Sequence, residues 1–192
     1  MAPMIATDKV GSFWTRLLSR FKRPTATLAT AVAPPIRTDE GWTFIQCEDP
    51  DVFKEWLGKD EQGMPFKEGE YPSLGSHLLI ELYGCDPESL KYESSVADTM
   101  IGAARASEAT IVTDSFHEFK PYGVSGAVVI QESHYTIHTW PEYKYAAVDL
   151  FYCGGTIAVH KAVDMLQDRF RPERMKFLVV RRGVQDEVET YS

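Results

Sequence analysis

A short segment in the second half of the chain holds the residue types that could do chemistry. Residues 131–142 read QESHYTIHTWPE, and residues 145–154 read YAAVDLFYCG. Ser133 directly follows Glu132, and a serine hydroxyl close to a basic side chain is a candidate nucleophile. Cys153 adds a thiol to the same stretch. The segment therefore predicts a reactive site centred on Ser133, whose target the motif alone does not name.

The residues alone allow three interpretations of this segment. His134 and His138 share one face of a strand, which would suit a metal site. A third ligand could come from His77 or His117, although no cysteine or carboxylate stands at a close companion spacing. A Ser–His–acid hydrolase is the second interpretation, but the sequence lacks the glycine-bracketed turn that typically holds its nucleophile. In the third, a hydrogen-bonded histidine is part of a buried strand face, formed by Thr136, His138 and Trp140.

The hydrophobic pattern predicts the elements that must position this segment. Strands are predicted at about 76–84, 109–119, 124–132, 134–139, 145–152 and 176–181. One helix is predicted over 86–107, with Leu90, Ala97, Met100, Ile101 and Ala104 buried. Another is predicted over 156–170, with Val159, Ala162, Val163 and Leu166 facing inward. Strands grouped together with two helices favour an α+β fold, a two-layer sandwich of an antiparallel β-sheet with helices on one face.

Composition limits the classes of function. The 192-residue chain carries 20 lysines and arginines against 28 aspartates and glutamates, a formal net charge of −8. This acidic balance argues against general nucleic-acid binding, which relies on basic side chains to neutralise phosphates. No apolar run approaches the roughly 18 residues that span a bilayer, so no integral membrane span is predicted. The three cysteines, with no C-x-x-C motif, indicate neither a disulfide framework nor a zinc site, and they favour a cytoplasmic protein.

The first seventy residues divide by charge. Residues 1–37 carry six lysines and arginines against a single acid and include an Ala/Thr/Pro-rich tract, so we expect a basic, flexible tail. Residues 38–70 carry three lysines against ten acids. Within them a strand is predicted at Trp42–Cys47, followed by a short helix that opens at Asp49. We expect this acidic extension to pack on the core through one helix face, which carries Phe53, Trp56 and Leu57.

Residues 71–192 resemble the prokaryotic class of S-adenosylmethionine decarboxylase proenzymes across about their full length. The family's hallmark reads E-S-H-x-T-I-H-T-W-P-E, and residues 132–142 match it. Further family-like pieces follow one another in order, at residues 75–81, 109–112, 116–119, 121–126 and 145–154. The resemblance implies a self-cleaving decarboxylase domain over residues 71–192, preceded by an extension that the family's short members lack.

The resemblance implies that Ser133 is the source of the enzyme's own cofactor. In this family the electron sink is a pyruvoyl group, and neither pyridoxal phosphate nor a metal is used. The Ser133 hydroxyl is expected to attack the carbonyl of Glu132, so that the backbone is cut between residues 132 and 133. His138 matches the proton acceptor of this processing, and Ser125 matches a residue that stabilises its cyclic intermediate. Regular strand alternation puts Ser133 and His138 on opposite faces, a conflict that a turn or kink at the scissile bond would remove.

The resemblance also implies that the mature enzyme decarboxylates S-adenosylmethionine. The pyruvoyl carbonyl would form a Schiff base with the substrate amine and accept the electrons released with CO2. Cys153 matches the family's proton donor. A thiol suits this role, because with an ordinary pKa of about 8.5 it is protonated at neutral pH. Phe119 matches an aromatic that stacks on adenine, while Trp140 and Glu142 lie near the pocket by family analogy. The product is an aminopropyl donor for spermidine biosynthesis.

Two other functions stay open at this point, and self-association is expected. A pyruvoyl-dependent ornithine or arginine decarboxylase of the same fold would apply the same chemistry to a cationic amino acid. A non-processing homologue would instead bind and regulate a partner, but the intact Ser133, His138 and Cys153 argue against it. Because the family's small subunits pair, we expect at least an (αβ)2 dimer, in which α and β are the two pieces of the cut chain.

Overall fold

The computed structural model describes residues 36–39, 42–57, 73–153 and 157–184. This part of the chain forms eight strands: β1 (Ile36–Asp39), β2 (Trp42–Cys47), β3 (Ser73–Tyr83), β4 (Ile111–Glu118), β5 (Val124–Ile130), β6 (Ser133–Trp140), β7 (Tyr145–Cys153) and β8 (Arg174–Val184). It also forms four α-helices: α1 (Pro50–Trp56), α2 (Pro87–Leu90), α3 (Glu93–Ala106) and α4 (Val159–Phe170). A 3-10 helix over Pro141–Tyr143 joins β6 to β7. None of the helices in these ranges is long and apolar enough to cross a membrane.

The eight strands form a single antiparallel sheet. Their order is β1-β2-β8-β3-β7-β6-β5-β4, and each neighbouring pair runs antiparallel. The pairings of β7 with β3 and with β6 are continuous. At the two ends of β6, Ser133 stands opposite Tyr152 and Trp140 stands opposite Tyr145. This register fixes which residues of the central strands stand side by side on each face of the sheet.

The hydrophobic core lies between one face of the sheet and the described helices. Alternate residues of the central strands enter it, as expected for an antiparallel sheet that is covered on one side. They include Leu78, Ile80, Leu82, Tyr135, Ile137, Val148 and Leu150. On α4 all the residues predicted to face inward are buried: Val159, Ala162, Val163 and Leu166. The prediction of an α+β two-layer sandwich is confirmed.

Two helices differ in extent from their predictions. The region 86–107 contains two helices rather than one, because the extended backbone of Tyr92 separates α2 from α3. As a result the buried stripe of α3 is shifted, and Ala97 and Ile101 are only half-buried. The core side of α3 is formed by Val96, Thr99, Met100, Ala103 and Ala104. The helix predicted over 156–170 begins at Val159 instead. Ala158, which precedes it, donates its N–H to the carbonyl oxygen of Ser107.

Part of the acidic extension adds to the sheet beside β8. β2 pairs with β8, and β1 pairs with β2. The sequence did not predict β1, which crosses the expected boundary between tail and extension at residue 37. The carboxylate of Asp49 caps α1 by accepting hydrogen bonds from the N–H groups of its first turn. Phe53 is fully buried and stacks on Phe177 of β8, with ring centroids 4.4 Å apart. Outside the described part of the chain lie residues 1–35, the side chain of Trp56 and residues 58–72.

The face of the sheet opposite the helices contributes no central-strand residue to the core cluster. We call it the open face. On the central strands it consists of His77, Leu79, Glu81, His134, Thr136, His138, Ala147, Asp149 and Phe151. All of these residues are half-buried or exposed. Histidines and carboxylates placed side by side on a half-exposed surface make the open face the place to look for the reactive site.

Candidate active site

Ser133 begins β6 with a backbone conformation that serine rarely adopts. The chain turns at residues 131 and 132, and Ser133 follows with a φ angle of 147°. Glycine reaches this region freely, whereas other residues are strained there by about 1–3 kcal/mol. A kink of the kind expected at the Glu132–Ser133 bond is therefore present, and it lies at Ser133 itself.

The carbonyl that Ser133 would attack is held by a backbone donor. The N–H of Cys153 donates a hydrogen bond of 2.9 Å to the carbonyl oxygen of Glu132. The carboxylate of Glu132 accepts from the N–H of Thr110, at 3.1 and 3.3 Å. Glu132 is thus fixed at both its main chain and its side chain. A donor on this carbonyl oxygen would also stabilise the negative charge that develops there during an attack.

The hydroxyl of Ser133 lies next to the ring of His134. Ser133 Oγ and His134 Nδ1 are 3.3 Å apart and form a hydrogen bond. The His134 ring lies beside Phe151, with centroids 5.6 Å apart, and meets the ring of His77 edge-on at 6.4 Å. Phe151 also lies against the Arg182 guanidinium, at 4.8 Å. Sequence reasoning considered His134 as a metal ligand and as one of two histidines close to Ser133, but it gave His134 no role in processing and did not predict this contact. Its place directly after Ser133 was the available signal.

His77 is the most constrained histidine of this group. Its Nε2 atom is buried without a hydrogen-bond partner and lies 3.7 Å from Asp149 Oδ1. Burial lowers the pKa of His77; the Asp149 carboxylate opposes this shift, and Arg182 and His134 add to it. The other Asp149 oxygen accepts a hydrogen bond of 3.2 Å from the hydroxyl of Thr136. The described residues contain no group of three or more His, Cys, Asp or Glu side chains that could hold a metal ion.

Farther along β6, His138 is paired with Ser125 of β5. The two residues stand directly opposite each other, and Ser125 Oγ lies 2.7 Å from His138 Nδ1. Gly126, the residue after Ser125 on β5, leaves room for the ring of Phe116, because a Cβ at residue 126 would lie 1.9 Å from that ring. The His138 side chain is exposed, with its ring centroid 6.2 Å from that of Trp140. The register of β5 with β6 therefore brings together two of the residues predicted for processing.

The three residues predicted for substrate binding lie at this same end of the sheet. Phe119 directly follows β4 and is 48% exposed. Trp140 ends β6, is 36% exposed and stacks on Tyr145 with ring centroids 5.3 Å apart. Glu142 is exposed in the 3-10 helix that follows. Aromatic faces and a carboxylate are thus available to a ligand near His138.

The predicted residues form two clusters at opposite ends of β6. Ser133 opens the strand, His138 stands five positions later and Trp140 seven positions later. At a rise of about 3.3 Å per residue, Ser133 lies about 17 Å from His138 and about 23 Å from Trp140. Cys153, at the exposed end of β7, belongs to the Ser133 end. The kink at Ser133 therefore does not bring this serine to His138 within one chain.

Sequence reasoning also left unassigned a carboxylate that binds two tyrosines on the open face. Glu81 Oε2 accepts hydrogen bonds from the hydroxyl of Tyr145 and, at 3.4 Å, from that of Tyr83. Burial and the neighbouring carboxylate raise the pKa of both tyrosines above its usual range. Only the pairing of β3 with β7, which sets Tyr83 opposite Tyr145, could have revealed this group.

Comparison with known proteins adds the family. The model of the S-adenosylmethionine decarboxylase family matches residues 76–183. The S-adenosylmethionine decarboxylase proenzyme of Fervidobacterium nodosum is 52% identical over 116 residues, covering 60% of this chain and 85% of that protein. The proenzyme of Thermodesulfovibrio yellowstonii is 49% identical over 112 residues, covering 58% and 83%. The crystal structure of the adenosylmethionine decarboxylase from Aquifex aeolicus VF5 superposes with a TM-score of 0.58 at 30% identity, covering 63% of this chain and 100% of that chain.

Fold and site together define an α+β decarboxylase whose candidate residues lie along one antiparallel sheet. The match over residues 76–183 covers more than half of the chain. The chain therefore belongs to the S-adenosylmethionine decarboxylase family, and the resemblance noted from its motifs is confirmed, as is the prediction of an enzyme. Residues 1–75 lie outside the family match.

Proposed function

We propose that the chain is a proenzyme that cuts itself between Glu132 and Ser133 and then decarboxylates S-adenosylmethionine. The observation that carries the proposal is the hydrogen bond from the Cys153 N–H to the Glu132 carbonyl, directly beside the strained Ser133. Strain at a reacting peptide bond raises the energy of the starting state, and rearrangement of that bond can release it. The product would be an aminopropyl donor for spermidine biosynthesis.

The cleavage moves the acyl group of Glu132 from nitrogen to oxygen. Ser133 Oγ attacks the carbonyl carbon, the C–N bond breaks, and the released nitrogen takes up a proton, which leaves an ester. Loss of the Ser133 Cα proton then expels the Glu132 carboxylate. The remaining dehydroalanine takes up water and loses ammonia to become a pyruvoyl group. We assign the base of this second step to His138, whose Nδ1 is held by the Ser125 hydroxyl at 2.7 Å.

A pyruvoyl group at residue 133 would supply a carbonyl that can condense with the substrate amine and take up the electrons left behind when CO2 departs. The residues of the chain fit such a group. Ser133 is the first residue of β6 and stands opposite Tyr152, next to the end of β7. Cys153 is the last residue of β7 and is exposed, so its thiol can reach a ligand at this position. We assign to this thiol the proton that replaces the lost carboxyl group.

The distance between the two clusters supports a dimer. The separation of about 23 Å between Ser133 and Trp140 is longer than one extended substrate molecule. We infer that two copies pack with their open faces together about a two-fold axis, so that Ser133 and Cys153 of one copy meet His138 and Trp140 of the other. The exposed aromatic side chains of Phe119 and Trp140 support this contact. Each (αβ)2 dimer would then hold two equivalent sites.

The substrate assignment rests on the family match and on the chemistry of the Trp140 end of the sheet. Exposed aromatic rings at Phe119 and Trp140 suit a flat adenine and a positive sulfonium. The Glu142 carboxylate suits ribose hydroxyls. Ornithine and arginine lack a ring system to use these surfaces, so we do not favour them. The free thiols of Cys47, Cys85 and Cys153 support our proposal that the enzyme works in a reducing cytoplasm.

Intact mass under denaturing conditions tests self-cleavage. The matured protein should yield two pieces, residues 1–132 and residues 133–192, the second with a pyruvoyl end that blocks amine labelling. Ser133→Ala should yield one chain that releases no CO2. Each purified protein is then given S-adenosylmethionine, ornithine or arginine labelled at the carboxyl carbon. An uncut wild-type chain, or CO2 from ornithine or arginine alone, would overturn the proposal.

A further inference from the structure

His134 is the side chain that contacts the Ser133 hydroxyl in the uncut chain. Its Nδ1 lies 3.3 Å from Ser133 Oγ, within hydrogen-bonding distance. Neighbouring residues of a regular strand point to opposite faces, so a contact between adjacent side chains needs a distorted backbone. The φ angle of 147° at Ser133 provides that distortion. The strain and the contact are thus parts of one arrangement.

Other bases near Ser133 are already engaged or lie farther away. The Glu132 carboxylate is bound to the N–H of Thr110. The His77 ring lies 6.4 Å from the His134 ring between centroids, and its Nε2 atom lies beside Asp149 Oδ1. His138 of the same chain stands five positions along β6, about 17 Å from Ser133. Among the described side chains of the same chain, His134 is therefore the base in hydrogen-bonding contact with the hydroxyl.

We propose that His134 accepts the hydroxyl proton of Ser133 during the attack on Glu132, a role that rests on the proposed self-cleavage. The proton passes from Ser133 Oγ to His134 Nδ1 while the Oγ–C bond to the Glu132 carbonyl carbon forms. The Cys153 N–H stabilises the carbonyl oxygen. As the C–N bond breaks, the His134 imidazolium returns the same proton to the Ser133 nitrogen. Protons and electrons balance, and no other reactant is needed.

The surroundings of His134 hold its ring in the orientation that this step requires. Phe151 packs beside it with a centroid distance of 5.6 Å, and the ring of His77 meets it edge-on at 6.4 Å. When the hydroxyl donates to Nδ1, the ring hydrogen is on Nε2, so the ring is a neutral acceptor. The two histidines of the motif then divide the work: His134 serves the attack, and His138 of a second copy serves the later elimination.

Two substitutions separate basicity from positioning. In His134→Asn the side-chain oxygen falls close to the place of Nδ1, so the hydrogen bond to Ser133 can persist while the base is lost. His134→Gln places its amide near the position of Nε2 instead and serves as the second variant. His160, an exposed histidine of α4, provides the matched control as His160→Asn. Circular dichroism establishes that each chain is folded.

The measurement is the rate at which newly made chain is cleaved, with and without hydroxylamine. Hydroxylamine cuts an ester between residues 132 and 133 but leaves the peptide bond intact. We expect both His134 variants to slow cleavage by roughly 10²- to 10⁴-fold, the usual contribution of a general base. Hydroxylamine should leave them uncut, because no ester has formed, whereas His138→Ala should accumulate a hydroxylamine-sensitive chain. His160→Asn should cleave like the wild type.

Two results would overturn this role for His134. One is cleavage of the folded Asn or Gln variant at the wild-type rate. The other is accumulation of a hydroxylamine-sensitive ester in these variants, which would place His134 after the attack. Failure of the proposed function looks different, since in that case the wild-type chain itself stays uncut.

Discussion

The main-chain N–H of Cys153 and the carbonyl oxygen of Glu132 are joined by a hydrogen bond of 2.9 Å. Cys153, whose thiol is assigned as the proton donor in decarboxylation, therefore also contacts the Glu132–Ser133 peptide group through its main-chain N–H. A thiol and an N–H can be removed independently. Alanine removes the thiol and keeps the N–H, whereas proline removes both.

Substitutions at Cys153 should therefore separate cleavage from turnover. We expect Cys153→Ala to cleave within a few-fold of the wild-type rate but to release CO2 roughly 10²-fold more slowly, because only the proton donor is lost. Cys153→Pro should slow cleavage itself by roughly 10²- to 10³-fold, the usual effect of losing one donor to a developing oxyanion. Intact mass over time gives the first rate, and labelled CO2 gives the second. If Cys153→Ala slowed cleavage as much as Cys153→Pro, the thiol itself would act in processing.

Mixing two inactive chains tests whether the sites are shared between copies. Ser133→Ala lacks the nucleophile, and His138→Ala lacks the proposed base for elimination. If Ser133 of one copy meets His138 of the other, co-expression should give mixed dimers with one complete site. Cleavage should then appear only in the His138→Ala chain, which keeps its own Ser133. Distinct affinity tags and intact mass identify which chain is cut, and no cleavage in a verified mixed dimer would contradict the shared site.

The buried hydroxyl of Tyr135 should make stability depend on alkaline pH. Burial raises its pKa from 10 to about 12, and the hydroxyl is bonded to Ser107 Oγ at 2.9 Å. Below pH 10 both states keep the proton, so the contribution to stability is complete. Between pH 10 and about 12 the unfolded chain loses the proton first, and the free energy of unfolding should fall by up to about 1.4 kcal/mol per pH unit for this group.

Tyr135→Phe should reduce this alkaline slope. At neutral pH the free energy of unfolding should drop by about 1 kcal/mol, because Ser107 keeps its bond of 2.8 Å to the carbonyl of Ala104. Urea unfolding between pH 8 and 11, with both chains in the uncut Ser133→Ala background, measures the two effects. Cys85, whose pKa is also raised by burial to about 12, contributes equally to both chains. An unchanged slope would contradict the assignment to Tyr135.

Local sequence patterns were sufficient for much of the sheet and for α4. In α4, Val159 and Leu166 recur at helical spacing and are buried as predicted. In β6 the alternation was recognised, but the interpretation that Thr136, His138 and Trp140 form a buried face was wrong, because the structure buries Tyr135, Ile137 and Thr139 instead. Alternation shows that one face of a strand is buried, but which face packs on the helices depends on the rest of the fold. The break of the helix at Tyr92 carried no proline or glycine to mark it, so the pattern continued across it.

The site was predictable as a set of residues but not as a geometry. Ser133, His138 and Cys153 stood out by type and by family motif. That Cys153 donates to Glu132 depends on the pairing of β7 with β6, which is a long-range property. That His138 lies far from Ser133 follows from the extended backbone of β6 itself. The Ser133–His134 contact depends on one unusual φ angle, and the residue type gives no warning of it because serine normally avoids that region.

The extension should stabilise the decarboxylase domain through Phe53. This side chain is fully buried and stacks on Phe177 of β8, so Phe53→Ala should lower the free energy of unfolding by about 3–5 kcal/mol. Phe53→Leu keeps most of the apolar volume and should cost less than about 1.5 kcal/mol. Lys54, which pairs with Asp164 near the surface, is the control: Lys54→Ala should change the value by less than about 1 kcal/mol. Urea unfolding of the uncut Ser133→Ala chain gives all three values. A loss from Phe53→Ala no larger than that from Lys54→Ala would show that residues 36–57 unfold separately from the domain, since only elements of one cooperative unit share their stability.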